Sequence, residues 1–583
     1  MRLLSKTIFL FVAAILPIVS AQAADGDLDT SFDSDGRVIS NLSANTDELL
    51  SLALQADGKI IAGGRTNQEF ALARYLADGS LDTSFDSDGK LTTNVGASFE
   101  FIFKVLVQPD GKILAAGKAG ITSSDDDFAL VRYNGDGSLD TGFGGGDGIV
   151  NTDVNGGNGD DGANDMALQS DGKIILVGFN VGLNEDYSLV RYNTDGSLDS
   201  SFGTGGIVKT DFASQRDVAT CVVLQVDGKI VVAGRTDLDP GGSTNFGMGL
   251  ARYLSNGSLD TSFGSGGKVS TTLPSGLGSS SIDGPNDVVL QSDGKIVVAG
   301  TRGIDFLVGR YNPDGSLDTS FDSDGLVTTD FAGKSDEGKA VGVQADGKIL
   351  VSGSSVEVSN SQFGLARYNT DGSLDTSFDG DGKVLTEFNG GQDTGKSLLI
   401  QSDGKVLVGG NVDIGSDQKF GIARYEVTPP TYQADNRIGS KGNSATHKGN
   451  NIYNLNGAGQ NLKLRLKGTK LGKVFFSTQN DGTVSDSIRL NASKGSSKFK
   501  VNYFRLTGGK ANITGAITKG GGFFLNDKPP GSVTGFLIDA KAKKNKNGKQ
   551  VLNITGSSLT APSKLDRVKA LLDARPQRIK RRR

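Results

Sequence analysis

The chain has 583 residues, among them 84 glycines, 12 prolines, one cysteine, one histidine and no tryptophan, and a formal charge of −5. One cysteine excludes an intramolecular disulfide framework, and one histidine, His447, excludes a multi-histidine metal centre. Many glycines between short apolar runs point to an all-β protein with tight turns.

Taken in chain order, Arg2 and Lys6 precede the apolar run Ile8 to Val19, and Ala21-Gln22-Ala23 supplies a small-x-small cleavage site. Residues 1–23 therefore read as a secretory signal. The run is short for a membrane span and no later stretch approaches one. The expected location is exported: extracellular, cell-surface or periplasmic, with no transmembrane segment.

An internal repeat follows. Q-x-D-G-K begins at Gln55, Gln108, Gln169, Gln225, Gln291, Gln344 and Gln401. Arg-Tyr follows each copy, and "GSLDTSF" or a near copy places phenylalanines at Phe32, Phe85, Phe143, Phe202, Phe263, Phe321 and Phe378. Their spacings are 53, 58, 59, 61, 58 and 57 residues. Each unit reads as four strands. In the fifth, Val288 to Leu290 leads through a hairpin at Asp293-Gly294, expected as a two-residue type I′ turn, into Ile296 to Ala299. Phe306 to Tyr311 is the third strand, and "LDTSFDSDGLVTTDF" carries the last. Four antiparallel strands per unit of this size predict a seven-bladed β-propeller rather than a solenoid. The ends of the array agree. "GDLDTSFDSDGRVI", Gly26 to Ile39, is a fourth-strand phrase without a blade, and the last unit stops after Arg424-Tyr425 without that phrase. The N-terminal strand thus completes the seventh blade and removes two sheet edges.

Three features of the array carry charge. The turn after the phenylalanine reads DSDG, DSDG, GGGDG, GTGG, GSGG, DSDG and DGDG. Glycine recurs and the acids do not, so it reads as a turn more than as a metal loop. A second column never loses its carboxylate: Asp47, Glu100, Asp161, Asp217, Asp283, Asp336 and Asp393. If the first strand is innermost, these acids ring one mouth of the channel and attract a cation or a basic partner. The architectural alternative is that each ties loop backbone within its own junction. No cofactor is required; calcium is the one ion the acids suggest. Third, alternation half-buries the arginines Arg74, Arg132, Arg191, Arg252, Arg310, Arg367 and Arg424, and each needs a partner. The LD aspartates Asp29, Asp82, Asp140, Asp199, Asp260, Asp318 and Asp375 are the candidates, and closure assigns Asp29 to Arg424. Cys221, in "ATCVVLQ", reads as a spectator thiol.

With the motif "RYNxDGSLDTSFGxxG" the array from Gly26 to Tyr425 resembles the bacterial delta-60 repeat proteins. The resemblance implies an exported propeller spanning 24–427 and brings no catalytic residue.

"EVTPPTY", Glu426 to Tyr432, marks a boundary, with a linker at 428–431. From Thr431 onward there are 30 basic and 7 acidic residues, leaving 31 basic and 59 acidic residues before it, so the molecule is strongly dipolar. Strands alternate in "NLKLRLKG" and "KFKVNYF". "VFFSTQNDGTVSDSIRL" reads as a hairpin and resembles one in bacterial immunoglobulin-like modules, with Ile488 where an aromatic is usual. A β-sandwich is expected over 432–572 and a disordered basic tail over 573–583.

The leading functional expectation is a non-enzymatic scaffold. Its variable propeller loops, such as Arg235 to Gly249 and Lys118 to Phe128, would take a protein or polysaccharide ligand. The basic domain would dock on an anionic envelope or matrix surface; no motif for specific nucleic-acid reading is present. The alternatives are a carbohydrate-active hydrolase or lyase using carboxylates, and a calcium-stabilised structural protein.

Overall fold

The computed structural model describes residues 24–427 apart from the loop segments 123–124, 158, 182–184, 213–215, 238–245, 274–282, 332 and 358–359, together with strands between 434 and 575. The expected signal and linker lie outside the described residues. Among the described residues no helix is long and apolar enough to cross a membrane.

Strands β1–β28, from Arg37 to Tyr425, form seven four-stranded antiparallel sheets. Six are consecutive meanders. In the seventh, β1 (Arg37–Ser40) supplies the outer strand beside β28 (Asp417–Tyr425), followed inward by β27 (Val406–Ile414) and β26 (Thr394–Ile400). Register runs from Arg37 opposite Ala423 to Ser40 opposite Phe420. This is a propeller ring closed by its N-terminal strand.

The core lies between blades rather than within them. One cluster joins Phe70, Leu72 and Phe85 of the first blade to Ile102, Val131 and Tyr133 of the second. Another joins Val38, Leu407, Phe420 and Ile422 of the last blade to Leu49, Ile60 and Tyr75 of the first. All seven repeat phenylalanines are fully buried, and each contributes on the order of 2–3 kcal/mol. A blade alone has nowhere to bury its two faces, which is why the ring is the stable unit.

Local turn chemistry departs from expectation at the Q-x-D-G-K hairpins. Gly294 has φ 85°, whereas Asp293 stays out of the left-handed region. Gly294 N–H donates to the Gln291 carbonyl at 2.9 Å, and Gln291 N–H to the Lys295 carbonyl at 2.9 Å. This is a type I turn followed by a left-handed glycine, a three-residue loop, not the two-residue type I′ turn.

Every first strand carries a β-bulge at the same place, as between Ala163 and Asp165 in β10 (Asp161–Leu168). Opposite it, a Cβ on Gly178 would stand 1.8 Å from the Gly162 carbonyl oxygen. Equivalent glycines, including Gly64 and Gly410, face the same obstruction in other blades. At the bulge, Asn164 and Asp165 both line the ring axis and both bond the neighbouring blade, Asn164 donating to the Ala219 carbonyl and Asp165 accepting the Val222 N–H.

Beyond the propeller, β29–β38 run from Ala434 to Arg575 and pair into two five-stranded sheets. The last strand, β38, reaches Arg575, inside the stretch expected as tail. The turn of the expected QNDG hairpin lies outside the described residues, and the strands flanking it do not pair with each other. β31 (Leu471–Asn480) pairs with β29 (Ala434–Gly439) and β36 (Val533–Ala542), whereas β32 (Asp486–Ala492) pairs with β35 (Phe523–Lys528) and β37 (Gly548–Ser558) of the other sheet. A turn motif specifies a reversal of the chain but not which edge the next strand joins.

Candidate functional site

Antiparallel order sorts the connections onto two faces. The turn face carries the Q-x-D-G-K hairpins and the D-G-S turns, nearly alike in all blades. The loop face carries the second-to-third-strand loops and the passages between blades, which differ in length and sequence.

On the turn face the LD aspartates meet the repeat arginines. Arg Nε to Asp Oδ2 is 2.8 Å for Arg74–Asp82, 2.6 Å for Arg132–Asp140 and 2.8 Å for Arg191–Asp199. It is 2.8 Å for Arg252–Asp260, 2.7 Å for Arg310–Asp318 and 2.7 Å for Arg367–Asp375. Across the closure, Arg424 Nε lies 2.6 Å from Asp29 Oδ2. The guanidinium also stacks on the repeat phenylalanine, 4.5 Å from the Phe321 ring centre for Arg310. Its Nη1 donates to a turn carbonyl of the next blade, as Arg310 does to Thr370 at 2.5 Å. Arg424 reaches the Ala77 carbonyl in the same way and so ties the last blade to the first. Arg367 meets the broken blade, where no turn joins third to fourth strand, and Asp25 Oδ2 accepts from it at 2.8 Å.

The sequence reading missed the third member of each set. The lysine of Q-x-D-G-K bonds the same aspartate, at 2.7 Å for Lys348–Asp375 and 2.7 Å for Lys405–Asp29. It also missed the tyrosine of Arg-Tyr. Adjacent residues point to opposite faces of a strand, so the tyrosine reaches backward: Tyr192 donates to Thr152 Oγ1 of the preceding blade at 2.8 Å. Burial would raise the Asp375 carboxyl, but hydrogen bonds from Lys348 and Ser377 and the charge of Arg367 hold it low, at about 2. Asp140 is held at about 2, first by the Lys112 hydrogen bond.

The recurrent acids begin the first strands on the loop face, and all seven are buried. They turn into their own junctions. Asp161 accepts the Val154 and Asn155 N–H at 2.8 and 3.0 Å. Asp336 accepts the Phe331 N–H at 2.7 Å, and Glu100 the Val95 and Gly96 N–H at 2.9 and 2.6 Å. Asp47 and Asp393 likewise accept loop N–H groups, from Leu42 at 2.9 Å and Phe388 at 3.0 Å. Asp217 accepts from Phe212 at 2.7 Å and Asp283 from Gly303 at 2.7 Å. At three junctions further acids join them: Asp127 and Asp153 with Asp161, Asp186 and Asp211 with Asp217, and Asp305 and Asp330 with Asp336. Burial, then the neighbouring carboxylates, pushes Asp127 and Asp161 up to about 6.

Symmetry also breaks along the ring axis. Residues from the first strands of all seven blades line a cavity of about 350 Å³. It holds Lys104, Lys339 and Lys396 beside Asp165 and Asp287. Both aspartates already bridge blades: Asp165 accepts the Val222 N–H at 2.8 Å and Asp287 the Val341 N–H at 2.8 Å. Lys104 Nζ lies 3.0 Å from Asp165. Burial, then repulsion from Lys339, lowers Lys396 to about 8. The sequence signal was present, since these residues are the bulge positions of otherwise similar strands. Cys221 occupies one such position, buried, and burial holds its thiol well above the usual range.

Among solved structures, the chain is similar to virginiamycin B lyase from Staphylococcus aureus, at 9% identity and a TM-score of 0.40 over 67% of this chain and 99% of that one. It is similar to the polysaccharide lyase Uly1, at 11% identity and a TM-score of 0.37 over 66% of this chain and 91% of that one. A PL25 ulvan lyase gives 12% identity and a TM-score of 0.36 over 67% and 96%. No curated protein matches the chain. One family description, "Domain of unknown function (DUF5122) beta-propeller", matches at 55–85, 108–143, 169–202, 225–263, 291–321, 344–378 and 401–427. One match falls in each blade of the seven-bladed propeller described above, so each blade is similar to that family's repeat.

Proposed function

We propose that the chain is an exported, non-enzymatic binding scaffold of the delta-60 repeat type. The loop face of its acidic propeller takes a protein or polysaccharide ligand. The basic region beyond Thr431, read as an immunoglobulin-like β-sandwich, holds the protein on an anionic envelope or matrix surface. One observation carries this reading: the carboxylates that recur in every blade, and both channel aspartates, already accept internal hydrogen bonds. What varies between blades is the loop face, carried on rigid sheets.

The test is binding of the full chain to envelope fractions at low and high salt, beside a chain ending at Val427. Retention by the full chain that falls with salt and is lost on truncation is expected. A panel of acidic and neutral glycans supplies the opposing arm. Turnover of any of them, abolished in Asp165→Asn or Asp287→Asn, would make the channel a carbohydrate-active site.

A further inference from the structure

The seven blade junctions on the loop face share one layout. A third strand opens, a fourth strand of the same blade ends, and the first strand of the next blade begins with the recurrent acid. At the junction of the second and third blades these places hold Asp127, Asp153 and Asp161. One carboxylate oxygen from each lies within 4.8 Å of the others. Oxygens so spaced can share one calcium ion at its usual 2.3–2.6 Å, roughly half that separation.

Two of the three side chains each have one oxygen without a partner. Asp127 is 7% exposed and Asp161 0% exposed, yet Oδ1 of each has no hydrogen-bond partner. An unpaired buried charge is costly. Neither nearby lysine forms an ion pair with the group: Lys118 pairs with Asp126, and Lys209 Nζ meets the Asn155 amide oxygen at 3.1 Å, its charge only partly offsetting the burial of Asp161. The donors are all hard oxygens, with no histidine or cysteine in the group, which suits calcium over zinc or copper.

The ring supplies its own comparison. At the closing junction the third-strand place is held by Lys419 instead of an acid. Its ammonium lies 3.6 Å from Asp47 Oδ2 and donates to the Asn45 carbonyl at 2.6 Å. At the junction of the fourth and fifth blades, Arg302 Nη1 stands 3.6 Å from Asp283. At these two of the four junctions that lack the full set of acids, a side-chain cation faces the buried carboxylate; near Asp393 stand Asp413 and Glu387 instead, and near Glu100 stands Glu69.

We propose that a calcium ion binds between Asp127, Asp153 and Asp161, and at the two like junctions, Asp186–Asp211–Asp217 and Asp305–Asp330–Asp336, in the place that Lys419 fills at the ring closure. The ions pin the roots of the variable loops. A dissociation constant on the order of 0.1–1 mM, that of extracellular calcium modules, is expected.

The test is calcium chloride titrated into the full chain by equilibrium dialysis and by thermal unfolding, with magnesium chloride as comparison. Three calcium ions per chain and a raised melting temperature are expected. The Asp127→Asn/Asp153→Asn double variant should bind one ion fewer with a calcium-free melting temperature at or above that of the parent; Asp161 is left intact because it also holds the loop backbone. Asp127→Lys, which copies Lys419, should melt higher without calcium and also bind one ion fewer. No uptake at millimolar calcium, or uptake that neither variant reduces, overturns the proposal.

Discussion

Single residues divide into those whose job recurs and those whose charge is incidental. In "DGSLDTSFDSDG", Asp318 bonds Arg310 and Lys295, whereas Asp322 and Ser323 adopt φ 46° and 69°. The DSDG half is thus a left-handed turn, and the sixth blade already has Gly380 (φ 85°) where the fifth has Ser323. Ser323→Gly should stabilise by up to about 1 kcal/mol, since relief of left-handed strain exceeds the added chain entropy; thermal unfolding reads it. Tyr192→Phe removes the bond to Thr152 and should cost about 1 kcal/mol, with little further loss in the double variant with Thr152→Val. The aspartates bonded by arginine and lysine also set an acid limit. Asp140 and Asp375, held at about 2 in the fold, have ordinary values near 4 unfolded. Their contribution is complete above about pH 4 and disappears as pH falls through about 2. The melting temperature should fall steeply in that window, where Asp127, Asp161 and Asp217, pushed up to about 6, are already protonated. The arginine and its aspartate were legible because seven copies preserved both. The lysine was equally constant, but a hairpin motif already accounted for it.

At the scale of strands, alternation and turn residues placed the first three strands of a blade to within a few positions, as with Ile296 to Ala299 inside β19 (Ile296–Arg302). They did not reveal the bulge, because an extra residue in one strand leaves the hydrophobic pattern on either side intact. Its trace was the glycine that ends "ILVG" and its equivalents in every blade. Gly178→Ala should cost about 3 kcal/mol or more, or abolish folding, because the clash is with backbone rather than a movable side chain. Ala163, also on the bulged pair but with room for its Cβ, gives the control: Ala163→Gly should cost about 1 kcal/mol. Denaturant midpoints separate the two. The strands flanking QNDG join different sheets for a different reason. The motif's turn chemistry is local, but the choice between two sheets is made by strands far away in sequence.

For the whole molecule, closure followed from an inventory: one fourth-strand phrase too many at the start and one too few at the end. The three-acid junctions did not, because each draws on two blades and only three of the seven have all the acids. Ring topology makes the break in the last blade dispensable. Leu28 bridges Tyr425 just as Leu374 bridges Tyr368. A permuted propeller that joins Tyr425 to Leu28 through an Asn-Thr-Asp-Gly-Ser turn, with new ends in another blade's turn, should fold and melt at or above the original temperature. A lower cooperativity would show that the break itself matters. The same closure imposes an order on biosynthesis. Asp29 is among the first propeller residues made and Arg424, 395 positions later, among the last. Until the final strand emerges, β1 has no partner and the first and last blades each leave one face bare. The ring therefore acts as a test of completeness. A chain that ends early cannot hide its unfinished state, and protein-quality machinery can distinguish it from a finished one by exposed apolar surface alone.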